Sequence, residues 1–174
     1  MSKAPSSAAL PIAHVVLRIL IVANWLSGAA IAALLVVIPN RRWIMSAFHL
    51  SPSPEADQLI MGLRAIAALG LVGIPLNYVV LKRLLAIVET VRAGDPFVAE
   101  NALRLQAIAW TLLALQLLSL TIGAIVKAVS TPAHPLHLDA GFSINGWLAV
   151  LLTFLLARVF AEGTLMRADL EGTV

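Results

Sequence analysis

Few side chains in this chain could do chemistry, and each group has a plainer use. His134 and His137 stand three apart with Asp139 close behind, the residue types of a metal site. Pro135 separates the histidines, and three local ligands fall short of a closed zinc site, so a plain loop is expected there. Arg158 and Glu162 are four apart and share a helix face, base before acid, which is the weaker order for an ion pair. Arg64 lies near one end of a long apolar run, where its side chain can snorkel to the interface or meet a buried partner. Asn24, Asn77, Gln116 and Asn145 interrupt apolar runs and are expected to hydrogen-bond between helices, with a small polar cavity as the alternative.

The absences narrow the chemistry further. The chain has no cysteine, which excludes thiol nucleophiles, Cys-ligated zinc or iron–sulfur clusters and disulfides. No phosphate-binding glycine loop, His-Glu zinc motif or nucleophile elbow occurs. No catalytic residue, cofactor or metal is therefore assigned, and a non-enzymatic role is expected. The net charge of +3 is spread around apolar segments with no basic run, so direct nucleic-acid binding is not expected.

The elements that must position these residues are set by composition. Of 174 residues, 60% are hydrophobic and 12% charged, against ~45–50% and ~25% in soluble domains. The departure is confined to four uncharged runs, 19–38, 65–81, 105–126 and 140–157. A run of ~20 apolar residues, rising ~1.5 Å each, crosses a hydrocarbon layer of ~30 Å. The fold expected is all-α, an integral membrane four-helix bundle forming a single membrane domain over 1–174. Its spans fall at about 12–38, 59–81, 105–126 and 141–157. The first run outlasts a signal-peptide core of ~7–15 residues, so it reads as a retained helix.

Between the second and third spans, Lys82, Arg83, Glu89 and Arg92 appear while Leu84, Leu85, Val88 and Val91 keep helical spacing. The second helix thus projects from the bilayer, with Pro75 expected to kink it inside. Gly94 is a helix stop, and Asp95-Pro96 reads as a capping residue followed by a first-turn proline. Residues 82–104 make a helical junction and 158–174 a tail. Gly28 and Ala32, and Gly62, Gly70 and Gly73, are small residues expected to pack helices closely, with dimer formation as their second use. Eight Lys and Arg (Lys3, Arg18, Lys82, Arg83, Arg92, Arg104, Arg158, Arg167) fall on the side of the termini and four (Arg41, Arg42, Arg64, Lys127) opposite. That asymmetry predicts cytoplasmic termini in the bacterial inner membrane.

Two segments are more distinctive than the spans. Gly94, Pro96 and Phe97 followed by Glu100-Asn101 and Leu103-Arg104 form one, and Phe160, Glu162-Gly163 and Leu165, leading to Thr173-Val174, the other. From Leu81 to Val174 the chain resembles a bacterial four-span membrane family, the domain of unknown function twenty-nine seventy-five. The resemblance implies no catalytic residues. Genes of that family commonly neighbour a small cytoplasmic helix-turn-helix regulator, which implies a membrane partner for a transcription factor. The expected docking residues are Arg92, Gly94, Asp95, Pro96, Phe97, Asn101, Arg104, Glu162, Gly163 and Arg167, with Phe97 as apolar anchor and the arginines as charged contacts. A plain chain reversal at residues 94–97 is the competing use. A small transporter, lipid-binding protein or accessory subunit using Arg64, Asn77 and Asn145 is the alternative function. Besides the lipid bilayer, a second copy of the chain is a candidate partner.

Overall fold

The structure is a computed structural model that describes residues 9–37, 46, 54–131, 135–136 and 138–171. Lys3, Arg41, Arg42, His134 and His137, with residues 172–174, lie outside the described residues. The described residues form four long helices: α1 (Ala9–Val37), α2 (Pro54–Arg92), α3 (Ala99–Val129) and α4 (Ile144–Glu171). All four are long and apolar enough to cross a membrane. With 39 residues, α2 is about 58 Å long, nearly twice a ~30 Å hydrocarbon layer. Its charged end, from Lys82 to Arg92, therefore extends past the layer. Helix α2 runs unbroken through Pro75.

Close approaches fix how the helices run. Between α1 and α2 they pair His14 with Glu89, Asn24 and Gly28 with Ile74, and Ile31 with Gly70. Between α2 and α3 they pair Gly62 with Val129, Gly73 with Leu118 and Thr90 with Asn101. Between α3 and α4 they pair Gln116 with Gly146 and Trp110 with Phe154. In each series one number falls as the other rises, so successive helices are antiparallel. The start of α1, the α2–α3 junction and the end of α4 consequently share one end of the molecule.

Packing follows chain order: α1 lies on α2, α2 on α3 and α3 on α4, and among the described residues other helix pairs barely touch. The bundle is thus an open row with α1 and α4 at its edges. Only a thin core is sequestered, around Leu59, Ile60, Leu105, Ile108 and Ala109. Large apolar side chains such as Leu26, Leu151 and Leu155 point outward, each more than three-fifths exposed. That arrangement would be unstable in water and is natural in lipid, where an outward leucine carries no hydrophobic cost.

With little hydrophobic drive between helices in lipid, contact comes from small residues and polar bonds. The Asn24 amide donates to the Ile74 carbonyl across α1 and α2 at 3.1 Å, beside Pro75. Gly28 faces the Ile74 side chain, and Gly62 faces Val129 so closely that a Cβ would come within 2.5 Å of it. On the far side, the Gly141 N–H donates to Ser119 Oγ at 3.1 Å, and a Cβ on Gly123 would sit 2.6 Å from Gly141 Cα. Ala32 is exposed, so only Gly28 of that pair packs against α2.

Candidate functional site

The end of α2 is closed by backbone bonds. The Gly94 N–H donates to the Val91 carbonyl and the Asp95 N–H to the Thr90 carbonyl, both at 3.1 Å, with Gly94 at φ +87°. This is the Schellman closure, which needs a residue tolerating the left-handed region just past the helix. A Cβ on Gly94 would meet nothing within 4 Å, so glycine serves conformation there and not space.

Asp95 and Pro96 do not open the next helix. Residues 95–98 are non-helical, and α3 starts at Ala99 with Val98 as its extended cap, which makes no side-chain capping bond. The reason is that both groups are used elsewhere. The Asp95 carboxylate accepts from the Arg167 guanidinium of α4, and the Pro96 carbonyl accepts from the Asn101 amide at 2.9 Å.

Asn101 is the centre of the arrangement. It is fully buried. Its Nδ2 also donates to Thr90 Oγ1 at 2.7 Å, and its Oδ1 accepts from Arg104 Nη1 at 2.7 Å. Thr90 in turn donates to the Ile87 carbonyl at 2.8 Å. One side chain thereby joins the last turn of α2, the connecting segment and the first turns of α3. A buried amide with its donors and acceptor used is stabilising, whereas leaving any one unpaired costs about 1–3 kcal/mol.

The tail closes over this knot. The Phe97 ring lies 5.4 Å from the Phe160 ring, tilted by 33°. Gly163 lets it approach: a Cβ there would be 3.2 Å from Phe97 Cδ1. The two distinctive segments therefore meet, Phe97 on Phe160 and Gly163, and Asp95 on Arg167.

The residues divide into those turned inward and those left outward. Asn101, Arg104, Gly163 and Pro96 are buried or half-buried. Arg92, Glu100 and Glu162 are exposed, and Phe97 keeps 46% of its surface open. Glu162 accepts from Arg158 Nε at 2.8 Å in the i, i+4 pair expected from spacing. The residues singled out inside the spans are not gathered with these. Arg64 is on an exposed face of α2, 28 residues and about 42 Å up the helix from Arg92. Asn77 and Asn145 are exposed too. Among the described residues no group of three His, Asp or Glu could hold a metal ion.

Residues 28–174 match the family described as Protein of unknown function (DUF2975). The chain belongs to this family. The match reaches well beyond the two distinctive segments, taking in the last third of α1 and all of α2, α3 and α4. No curated protein and no solved structure matches the chain. For this member of the DUF2975 family, the knot at the junction is thus the best-defined polar feature on which a function can be built. Sequence reasoning found Asn101, Gly163 and Arg167 through the segments that carry them, but not Thr90 as Asn101's partner. Nothing in a threonine near a helix end announces a bond eleven residues ahead.

Proposed function

We propose that this multi-pass membrane protein is a non-catalytic regulatory partner that presents the α2–α3 junction and the α4 tail to a small soluble protein. The observation carrying the proposal is the interlocking of the two segments around Asn101, with Asp95 on Arg167 and Phe97 on Phe160. A platform tied at several points offers its outward groups in a fixed arrangement, which lowers the ordering cost of binding. Arg92, Arg167 and Glu162 are the outward charges and the open side of Phe97 the apolar anchor, while Asn101, Arg104, Gly163 and Pro96 hold the frame. The partner class is the small helix-turn-helix regulator that the family resemblance implies.

The platform end faces the cytoplasm of a bacterial inner membrane in this proposal, supported by Lys82, Arg83, Arg92, Arg104, Arg158 and Arg167 at that end. A reporter active only in the cytoplasm, fused after Val174, is expected to be active; activity solely of a periplasmic reporter contradicts the orientation.

Co-expression with the product of the adjacent regulator gene tests the function. Co-purification from detergent is expected, and it should be lost on Phe97→Ala or on removal of residues 162–174. No such neighbouring gene, or no association in any lipid condition, overturns the proposal.

A further inference from the structure

Beside the platform, α3 and α4 part to leave an open groove of about 260 Å³. Its floor is made by small side chains, Ala102, Ala157 and Ala161, and its walls by Gln106, Phe154 and Arg158. Trp110 meets Phe154 edge-on, ring centroids 5.2 Å apart, one turn deeper toward the membrane centre. The groove's level is set by the uncharged runs, which stop at Arg104 on α3 and at Arg158 on α4. It therefore spans the boundary where hydrocarbon gives way to headgroups.

Arg158 lines the polar end of this groove and is paired with Glu162, one turn further along α4, their side chains 77% and 52% exposed. An exposed pair of this kind adds little to stability. It does form a dipole with no net charge, the Arg158 Nε and the Glu162 carboxylate 2.8 Å apart, with the acid one helical turn nearer the chain end than the base. A phosphoethanolamine headgroup carries a phosphate and an ammonium in the opposite order of sign, so it can lie alongside this pair with each charge on its opposite.

We propose that this groove is a binding site for phosphatidylethanolamine from the leaflet at the platform end. The phosphate sits on the Arg158 guanidinium and the Gln106 amide, and the ammonium donates to the Glu162 carboxylate. The glycerol region lies over Ala102, Ala157 and Ala161, and one acyl chain passes Phe154 and Trp110. Phosphatidylcholine has the same charges, but its methylated nitrogen has no N–H to donate. Phosphatidylglycerol has the phosphate and no cation for Glu162. The site shares Glu162 with the proposed docking rim, and its test includes no protein partner.

The test is native mass spectrometry of the delipidated full-length protein, titrated with phosphatidylethanolamine, phosphatidylcholine and phosphatidylglycerol of identical acyl chains. Wild type is expected to retain one phosphatidylethanolamine, at least about fivefold in preference to either competitor. Glu162→Gln should bring the ethanolamine-to-choline preference near one, and Arg158→Gln should weaken all three lipids. Both residues are on the surface, so folding is retained. Ala161→Leu should reduce adducts by filling the floor. Equal retention of the three lipids by wild type, a preference for phosphatidylglycerol, or a preference unchanged in Glu162→Gln would each overturn the proposal.

Discussion

Asn101 is the residue on which the junction depends. Its burial makes sense only because Thr90, the Pro96 carbonyl and Arg104 use its amide in full. Asn101→Leu removes those bonds at once and orphans buried partners, so it should lower stability by about 1–3 kcal/mol, read as a drop in the thermal midpoint in detergent. Arg92→Gln, one exposed side chain at the end of α2, should stay within about 0.5 kcal/mol of wild type. Gly94→Ala is expected to cost about 1–2 kcal/mol from backbone conformation alone, since the φ of +87° is strained for any side chain while space is ample. This stop was legible in the sequence as a glycine after a charged helix end. The role of Asp95 was not, because a residue before proline reads as a cap until the distant Arg167 claims its carboxylate.

At the scale of elements, close packing at glycine decides how the helices sit. Gly28, Gly62 and Gly73 all face a neighbouring helix, as their small size in apolar runs suggested. Gly123 was not legible as a contact point, because its partner is the loop at Ala140 and Gly141 and not a helix face. The two kinds of contact differ in what can yield. At Gly28 a Cβ would press on the Ile74 side chain at 3.1 Å, whereas at Gly123 it would meet backbone at 2.6 and 2.8 Å. Gly123→Ala is therefore expected to cost about 1–3 kcal/mol as overpacking and more than Gly28→Ala, compared by thermal midpoints in one detergent. Gly146→Ala tests a softer case, since its Cβ would displace the Gln116 amide, an end of a flexible chain. The presence of four apolar helices was readable because uncharged runs interrupted by Arg and Lys report the membrane directly; their lengths were not, since α4 continues as helix to Glu171, past the expected end at residue 157. The order of contacts was not readable, since every helix here is apolar on nearly all sides.

For the whole molecule, that order produces an open row with one structured end. Helices α1 and α4 occupy opposite edges, so a cysteine pair placed on their membrane-facing sides, Leu26→Cys with Leu155→Cys, should give no cross-link within a monomer. The natural absence of cysteine makes the background clean. An intramolecular product would instead mean that the row closes on itself. The structured end is where the family's two segments meet, and an outward charged rim on a tied frame is suited to fast, oriented capture of a soluble partner. The most direct measurement of the proposed function is the affinity of the proposed helix-turn-helix partner for this protein in lipid nanodiscs, compared between wild type and Arg92→Glu. We expect Arg92→Glu to keep its thermal midpoint and to bind about tenfold more weakly, a loss of ~1.4 kcal/mol. Binding unchanged by the charge reversal, or no binding to the wild type, would contradict the account.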